Sequence, residues 1–352
     1  IMMAMLHIKW ASFLQKAGQH QKAVEHFEKS AALVPSARAS FGLGTCLASL
    51  RRREEAEDAL KRALRLSPNM VGAHINLASV LLGRRAYEES AFHCRRALEL
   101  EPGSQEAVMN LANALRSLNR QCEAIELVQR HISAARARQA EPSRTSGGGG
   151  DDVGETLRPT RDLVLCQEWR PCADGVAASA VVCVKWGQRY SSEYVNRLFE
   201  GVRRHLPTYE GSFICFTDDL EGLDERIEKR LLPDGLPLWW GKAYLFSQEA
   251  GLDGLRVLYL DLDQVLVGSL DDLAGFRGPF AVLGTDDIAC ELASGGYNSS
   301  VMAWEASVFF RPIYSQLDAA ALRYVHRFDH WLEMTVKGAD LWQQVAPGRV
   351  VD

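Results

Sequence analysis

Along the first 138 residues, apolar and small side chains recur at helical spacing and in a fixed longer phase. Pro35, Pro68 and Pro102 stand 33 and 34 residues apart. Twelve residues before each come Ala23, Ala56 and Ser90; eight before, Phe27, Leu60 and Cys94; five before, Ser30, Ala63 and Ala97. A fourth copy keeps the phase without its proline, through Leu111, Ala112 and Ala124. This pattern predicts four helix–turn–helix units over 1–138. One such unit cannot bury its apolar stripe alone, so neighbours stack, and small residues let the helices approach. Each proline ends a second helix because it cannot continue the hydrogen-bond ladder.

From Ser133 that phase is lost. Residues 139–160 hold Gly147 to Gly150 and Asp151-Asp152 in a polar stretch and read as a flexible linker with a reach of about 25 Å. Two tethered halves are expected, unless the last helix of the array packs on the second half. In the third segment, 161–352, the period changes to strand and helix in alternation. Ala180–Val184, Ser212–Phe216, Arg256–Leu260, Phe280–Leu283 and Ser299–Ala303 read as strands. Ser191–Arg204 reads as a helix, capped by Ser191 or Ser192, that buries Val195, Leu198, Phe199 and Val202. This order predicts an α/β domain with a mostly parallel sheet and ligands at the carboxyl ends of its strands.

Charge divides along the same line. Residues 1–140 carry 20 Lys+Arg against 13 Asp+Glu; the remainder carries 20 against 32, and the sum is the net −5 of the chain. The basic residues (Arg51 to Arg53, Arg84, Arg85, Arg95, Arg96) recur with the repeat and have no interleaved aromatics. They are expected on a solvated helix face rather than a nucleic-acid footprint. No apolar run reaches the ~18 residues of a membrane span. The eight cysteines form no C-x-x-C pair or His-linked zinc spacing. They read as buried free thiols, which suits a reducing compartment such as the cytoplasm, though Cys166 and Cys172 could pair.

The sharpest chemical candidate is Asp261-Leu262-Asp263. An Asp-x-Asp pair is common by chance, but here an apolar strand delivers both carboxylates to its carboxyl end. Hard oxygen ligands there suit Mg²⁺ or Mn²⁺, which would hold a diphosphate. The plainer alternative is a pair of aspartates capping the following turn.

Two resemblances add to these readings. The repeats resemble the tetratricopeptide repeat, with Gly44 and Tyr87 where that motif expects glycine and an aromatic, and imply a surface for a protein or peptide. Six ordered blocks, Val182–Gly187, Tyr194–Leu198, Phe213–Asp219, Trp239–Phe246, Val257–Asp263 and Tyr297–Met302, resemble nucleotide-sugar glycosyltransferases of the GT-A fold related to family 8. That resemblance implies a Mn²⁺- or Mg²⁺-dependent transfer of a sugar from a UDP- or GDP-sugar donor. Asp263 would be the main metal ligand, and Asp261 would reach metal and ribose. Lys185, Trp186 and Tyr190 would line the nucleotide, and Lys242 would contact the diphosphate or donor sugar. Asn298 and Ser299 would lie beneath that sugar. Asp329 matches the aspartate of a Gly-Asp-Gln block near the anomeric carbon; here the block reads Phe328-Asp329-His330, so His330 replaces the glutamine. The family supplies a third metal ligand, a histidine, beyond the point matching Asp352, so a truncated domain is expected.

Three rival readings compete with this one. Asp261-Leu-Asp263 also fits the first motif of haloacid-dehalogenase-like phosphatases, but Lys337 is the sole lysine after it and the downstream acidic motif is missing. The O-GlcNAc transferase class shares only the repeats. A non-catalytic repeat scaffold with a degenerate α/β domain stands as the alternative function.

Overall fold

The computed structural model describes residues 2–140, 179–236, 240–285 and 296–350. Residues 141–160 of the expected linker, Trp239, Cys166, Cys172 and Cys290 lie outside them. The chain forms two compact units, Ile1–His131 and Ile132–Asp352.

The first unit is a stack of antiparallel helix pairs: α1 Met2–Lys16 with α2 His20–Leu33, α3 Ala37–Ser49 with α4 Arg53–Leu66, and α5 Val71–Gly83 with α6 Tyr87–Leu100. The fourth pair is α7 Gln105–Ser117 with α8 Gln121–Ala140, and the boundary between the units falls inside α8. Each phased proline lies two residues past its helix, after Leu33, Leu66 and Leu100. The phased small residues do what close packing requires. Ala23, Ala56, Ala63 and Ala97 are fully buried, as are Ser30 and Ser90, whose hydroxyls donate to the carbonyls of Ala4 and Ala78.

Within each pair the first helix ends in the same turn. Gly18, Arg51, Arg85 and Asn119, one per repeat, all have φ between 59° and 73°. At Arg51 the amide donates to Ala48 O and the next amide to Leu47 O; the same two bonds recur at the other three positions. These are Schellman caps, whose left-handed residue is best supplied by glycine. Arg51 and Arg85 are therefore turn residues, which corrects the expectation of a basic helix face at those two positions, whereas Arg53, Arg95 and Arg96 lie exposed on α4 and α6. Arg84 is ion-paired with Glu57 and Glu54. Cys46 and Cys94 are buried free thiols, but Cys122 is exposed, contrary to expectation.

The second unit is built on one seven-stranded sheet. In chain order its elements are β1 Ser179–Lys185, α9 Ser192–His205, β2 Ser212–Thr217, β3 Glu228–Leu231, α10 Gly241–Tyr244 and β4 Arg256–Leu260. After α11 Asp271–Ala274 come β5 Phe280–Gly284, β6 Tyr297–Glu305, α12 Pro312–Ser315, α13 Ala319–Tyr324, α14 Phe328–Thr335, β7 Asp340–Leu341 and α15 Trp342–Val345. The strand order is β3-β2-β1-β4-β6-β5-β7. The sheet is mixed: β6 runs antiparallel to both β4 and β5, and the other pairings are parallel. Ser191 is the N-cap of α9 in extended conformation, yet its side chain makes no capping bond.

Alternation along β1 and β4 loads both faces of the sheet. Val181, Cys183, Leu258 and Leu260 face the apolar side of α9, where Val195, Leu198, Phe199 and Val202 are buried as expected. Elsewhere in the unit Trp304 packs on Phe246 with ring centroids 4.7 Å apart. The last turns of α8 belong to this unit, where Arg136 is 4% exposed and donates to Asp318 Oδ2 and the Gln316 carbonyl, 2.7 Å each.

The turns and one histidine pair of the array carry two stability predictions. Arg51→Gly and Arg85→Gly remove the left-handed strain and should each raise stability by about 0.5–1 kcal/mol, measured as a rise in thermal midpoint; Asn119→Gly should gain less because Asn tolerates that conformation. The second concerns His93. His74 Nε2 lies 2.9 Å from the Pro68 carbonyl and must donate there, so its Nδ1 accepts from His93 Nδ1 at 2.9 Å. Burial first, and then the neighbouring His74, pull the His93 pKa from 6.5 down to about 4. Its stabilisation is complete above pH 6.5 and is lost as pH falls toward 4, because only the unfolded chain takes up the proton in that window. His93→Gln should flatten the decline of unfolding free energy across that range.

Candidate functional site

Strand order reverses between β1 and β4: from β1 the chain moves outward to β2 and β3, then crosses back to β4 on the other side. In an open sheet, ligands bind in the crevice outside the carboxyl ends of the strands at such a switch point. Lys185 and Trp186 stand at the end of β1, and Asp261 and Asp263 just past the end of β4.

The carboxylate of Asp261 is held on both sides. Tyr259, two residues earlier and therefore on the same face of the strand, donates its hydroxyl to Oδ1 at 2.5 Å. Lys242 Nζ, from α10, donates to Oδ2 at 2.8 Å, and also to Ser299 Oγ at 3.2 Å. Ser299, on β6, passes the polarity on: its hydroxyl donates to Asp329 Oδ1 at 2.5 Å and its amide to the same oxygen at 2.9 Å. Arg327 Nη2 lies 3.1 Å from Asp329 Oδ2. Four segments far apart in sequence thus form one hydrogen-bonded chain, Tyr259–Asp261–Lys242–Ser299–Asp329. All of these but the buried Tyr259 line a cavity of about 360 Å³, with Asn298, Ser300, Arg327 and Phe328.

The shifted acidities reflect this geometry. Burial acts to raise the Asp329 carboxyl, but the Lys242 charge, the Ser299 hydrogen bonds and the Arg327 charge outweigh it and hold the group below its ordinary value. Burial, and then the Asp261 charge, push the Tyr259 hydroxyl well up. Tyr190 is raised by burial and then by its bond to Asp263.

Asp263 is exposed and accepts from the Tyr190 hydroxyl at 3.0 Å. Tyr190 is thereby placed beside the aspartate pair. Trp186 is exposed. Lys185 is 4% exposed, with its ammonium 4.0 Å from Asp219. His330 follows Asp329 on α14 but is not among the residues lining the cavity. Asn298 lines it, with its own side-chain carbonyl turned to the Ser300 amide at 2.9 Å. Sequence reasoning missed Tyr259 and Arg327. The period-two spacing from Tyr259 to Asp261 was a usable signal; the pairing of Arg327 with Asp329 depends on local backbone geometry.

Among the described residues no group of three His, Cys, Asp or Glu side chains converges to hold a metal ion. The aspartate pair can offer a cation at most two protein carboxylates. In the cavity lining Asp261 and Asp329 are matched by Lys242 and Arg327, so the lining carries no net positive charge to meet an anion.

Residues 2–69, and in overlapping windows 49–104 and 75–141, match the tetratricopeptide repeat family. The first part of the chain is a tetratricopeptide-repeat solenoid. Similar solved structures include MamA from Desulfovibrio magneticus RS-1, 20% identical over 39% of this chain and 78% of that one, with a TM-score of 0.37. Human RPAP3 contributes its second TPR domain in complex with an HSP70 peptide: 21% identity, 32% and 95% coverage, TM-score 0.31. YrrB, a TPR protein with an unusual peptide-binding site, is 23% identical over 35% of this chain and 63% of that one, with a TM-score of 0.33. No curated protein matches the chain.

The hydrogen-bonded chain makes a direct prediction. Lys242→Met removes the largest of the influences that oppose burial, leaving the Ser299 hydrogen bonds and Arg327, so the Asp329 pKa should rise, read by carboxyl-carbon NMR titration. An unchanged value would show that Lys242 does not set the charge state of this cavity.

Proposed function

We propose that the second unit is a GT-A-type glycosyltransferase domain that binds a nucleotide-sugar, a UDP- or GDP-sugar, and that the repeats hold its protein or peptide partner. The observation that carries this reading is convergence. Lys242, Asp261, Asn298, Ser299 and Asp329, from stretches far apart in the sequence that resemble such enzymes, line one cavity, and Asp263, two residues past Asp261, accepts from Tyr190.

The residues present fit a divalent cation. Mg²⁺ is commonly held by one or two carboxylates, with substrate phosphates and water completing its shell, and Mn²⁺ accepts the same oxygen donors. Asp263 and Asp261 would hold it, and the lack of net positive charge in the cluster gives it a purpose. When bound, the ion supplies the charge that stabilises a departing diphosphate.

The chain's own groups do the rest. Lys242 offers its ammonium to the diphosphate or donor sugar while keeping Asp261 oriented. Asn298 and Ser299 present hydrogen-bonding groups to sugar hydroxyls. Asp329, held ionised, accepts a hydrogen bond from donor or acceptor and positions it, with His330 beside it. Trp186 and Tyr190 provide aromatic surface for the base, and Lys185 adds positive charge at the end of β1. In the array, the first helices carry Ile8, Phe41, Ile75 and Met109 in phase and half-buried, next to a polar row of Thr45, Ser79 and Asn113. Apolar and hydrogen-bonding rows side by side suit an extended peptide.

Isothermal titration of the chain with UDP and GDP, each with Mn²⁺ or Mg²⁺, tests the reading. Metal-dependent binding is expected, weakened at least about tenfold by Asp263→Asn. Absence of binding by every nucleoside diphosphate would sink it. Binding without hydrolysis of any UDP- or GDP-sugar would favour the non-catalytic scaffold.

A further inference from the structure

The oxygens of the aspartate pair already have donors. Asp261 accepts from Tyr259 at Oδ1 and from Lys242 at Oδ2, and Asp263 accepts from Tyr190 at Oδ2. Of the three donors only Lys242 brings a full charge. Its ammonium lies 2.8 Å from Asp261, 3.2 Å from the Ser299 hydroxyl and 3.4 Å from the Ser299 carbonyl, with the centre of the Tyr259 ring 5.2 Å away. Carboxylate, hydroxyl, carbonyl and aromatic face are the surroundings that hold a cation. The side chains of Lys242 and Asp261 are only 15% and 22% exposed, so water weakens their attraction less than it would at the surface. Asp261 therefore sits beside a resident cation, whereas Asp263 is exposed and faces a neutral phenol.

A divalent ion that reaches Asp261 must displace this ammonium or share its carboxylate, and two like charges so close in a partly buried site repel. Displacement is no easier, because the other oxygens around Lys242, those of Ser299, are neutral, and an ammonium stripped of its carboxylate is poorly held. A diphosphate reverses both effects: its oxygens offer the ammonium a new anionic partner and add ligands for the ion. Taking the nucleotide-sugar reading of this cavity, we infer that Lys242 is a built-in competitor that withholds Asp261 from a free divalent ion and yields it when a diphosphate accepts the ammonium. Metal and nucleoside diphosphate then bind cooperatively, each strengthening the other by the same factor. Occupancy follows the nucleotide rather than the ambient level of the ion. Tyr259 keeps the carboxylate aimed during the exchange, since its buried hydroxyl holds the opposite oxygen.

Mn²⁺ alone, titrated into the full chain and followed by the paramagnetic resonance of the free ion, should bind weakly to the unaltered protein. Lys242→Met should tighten it at least about tenfold. Lys242→Gln should do the same; it keeps a hydrogen bond to Asp261 and so guards against a misfolded Met variant. Lys242→Arg keeps the charge and should leave the ion weakly bound. Adding Asp263→Asn to Lys242→Gln should abolish the tightening, which places the ion at the aspartate pair. With UDP or GDP present, the unaltered chain should bind Mn²⁺ at least about tenfold more tightly than without, and Lys242→Gln should lose most of that gain. Equal affinity for Mn²⁺ alone in the unaltered chain and Lys242→Gln, or an affinity that bound nucleotide does not change, would overturn the proposal. If no nucleoside diphosphate binds, the nucleotide-sugar reading falls and the cooperative step with it, while the metal-alone comparison still decides whether Lys242 excludes the ion.

Discussion

The Lys242 ammonium has to be held somewhere, and in this fold it lies between Asp261 and Ser299. That placement ties α10, β4 and β6 together at one end of the sheet, and through the Ser299 hydroxyl it reaches Asp329 on α14. Removing an ammonium from bulk water is costly unless it is paired and hydrogen-bonded. Here the pairing is met by a carboxylate that is itself fixed by the Tyr259 hydroxyl. The arrangement is directional: the Tyr259 and Ser299 hydroxyls each donate to one carboxylate oxygen and Lys242 bridges Asp261 and Ser299, so the side chains have little freedom to reorient. A cavity with such walls can distinguish the hydroxyls of a ligand by position, which an apolar cavity of the same volume could not.

The array solves a different problem with a simpler rule. Its core is made of alanines, serines and single large residues such as Phe27 and Leu60, repeated in phase. Because each pair touches only its neighbours, stability accumulates locally, and the same turn is built four times. Two of those turns keep arginine where glycine would be less strained. The helices tolerate this because their buried contacts, not their caps, hold the stack.

Much of this was legible in the residues. The four-fold phase specified helix pairs, their stacking and their ends, since each marked position has a local reason to be small, large or proline. The strands of the second unit were likewise readable from apolar runs, apart from β3 and β7. Lys229 and Arg230 in β3 do not read as a strand, and β7 is only two residues long. The reversal of β6 was hidden, because alternation of side chains is the same for parallel and antiparallel partners.

The sequence by itself determined the repeat array, the order of strands along the chain and the arrival of two aspartates at a strand end. Those depend on local periodicity and on short-range sterics. Only the tertiary structure decided that Asp261 is shared between Tyr259 and Lys242, that Ser299 links Lys242 to Asp329, and that Lys185 is buried while Trp186 is exposed. These outcomes depend on which strands become neighbours, and neighbours are chosen by packing across the whole sheet rather than by any one segment.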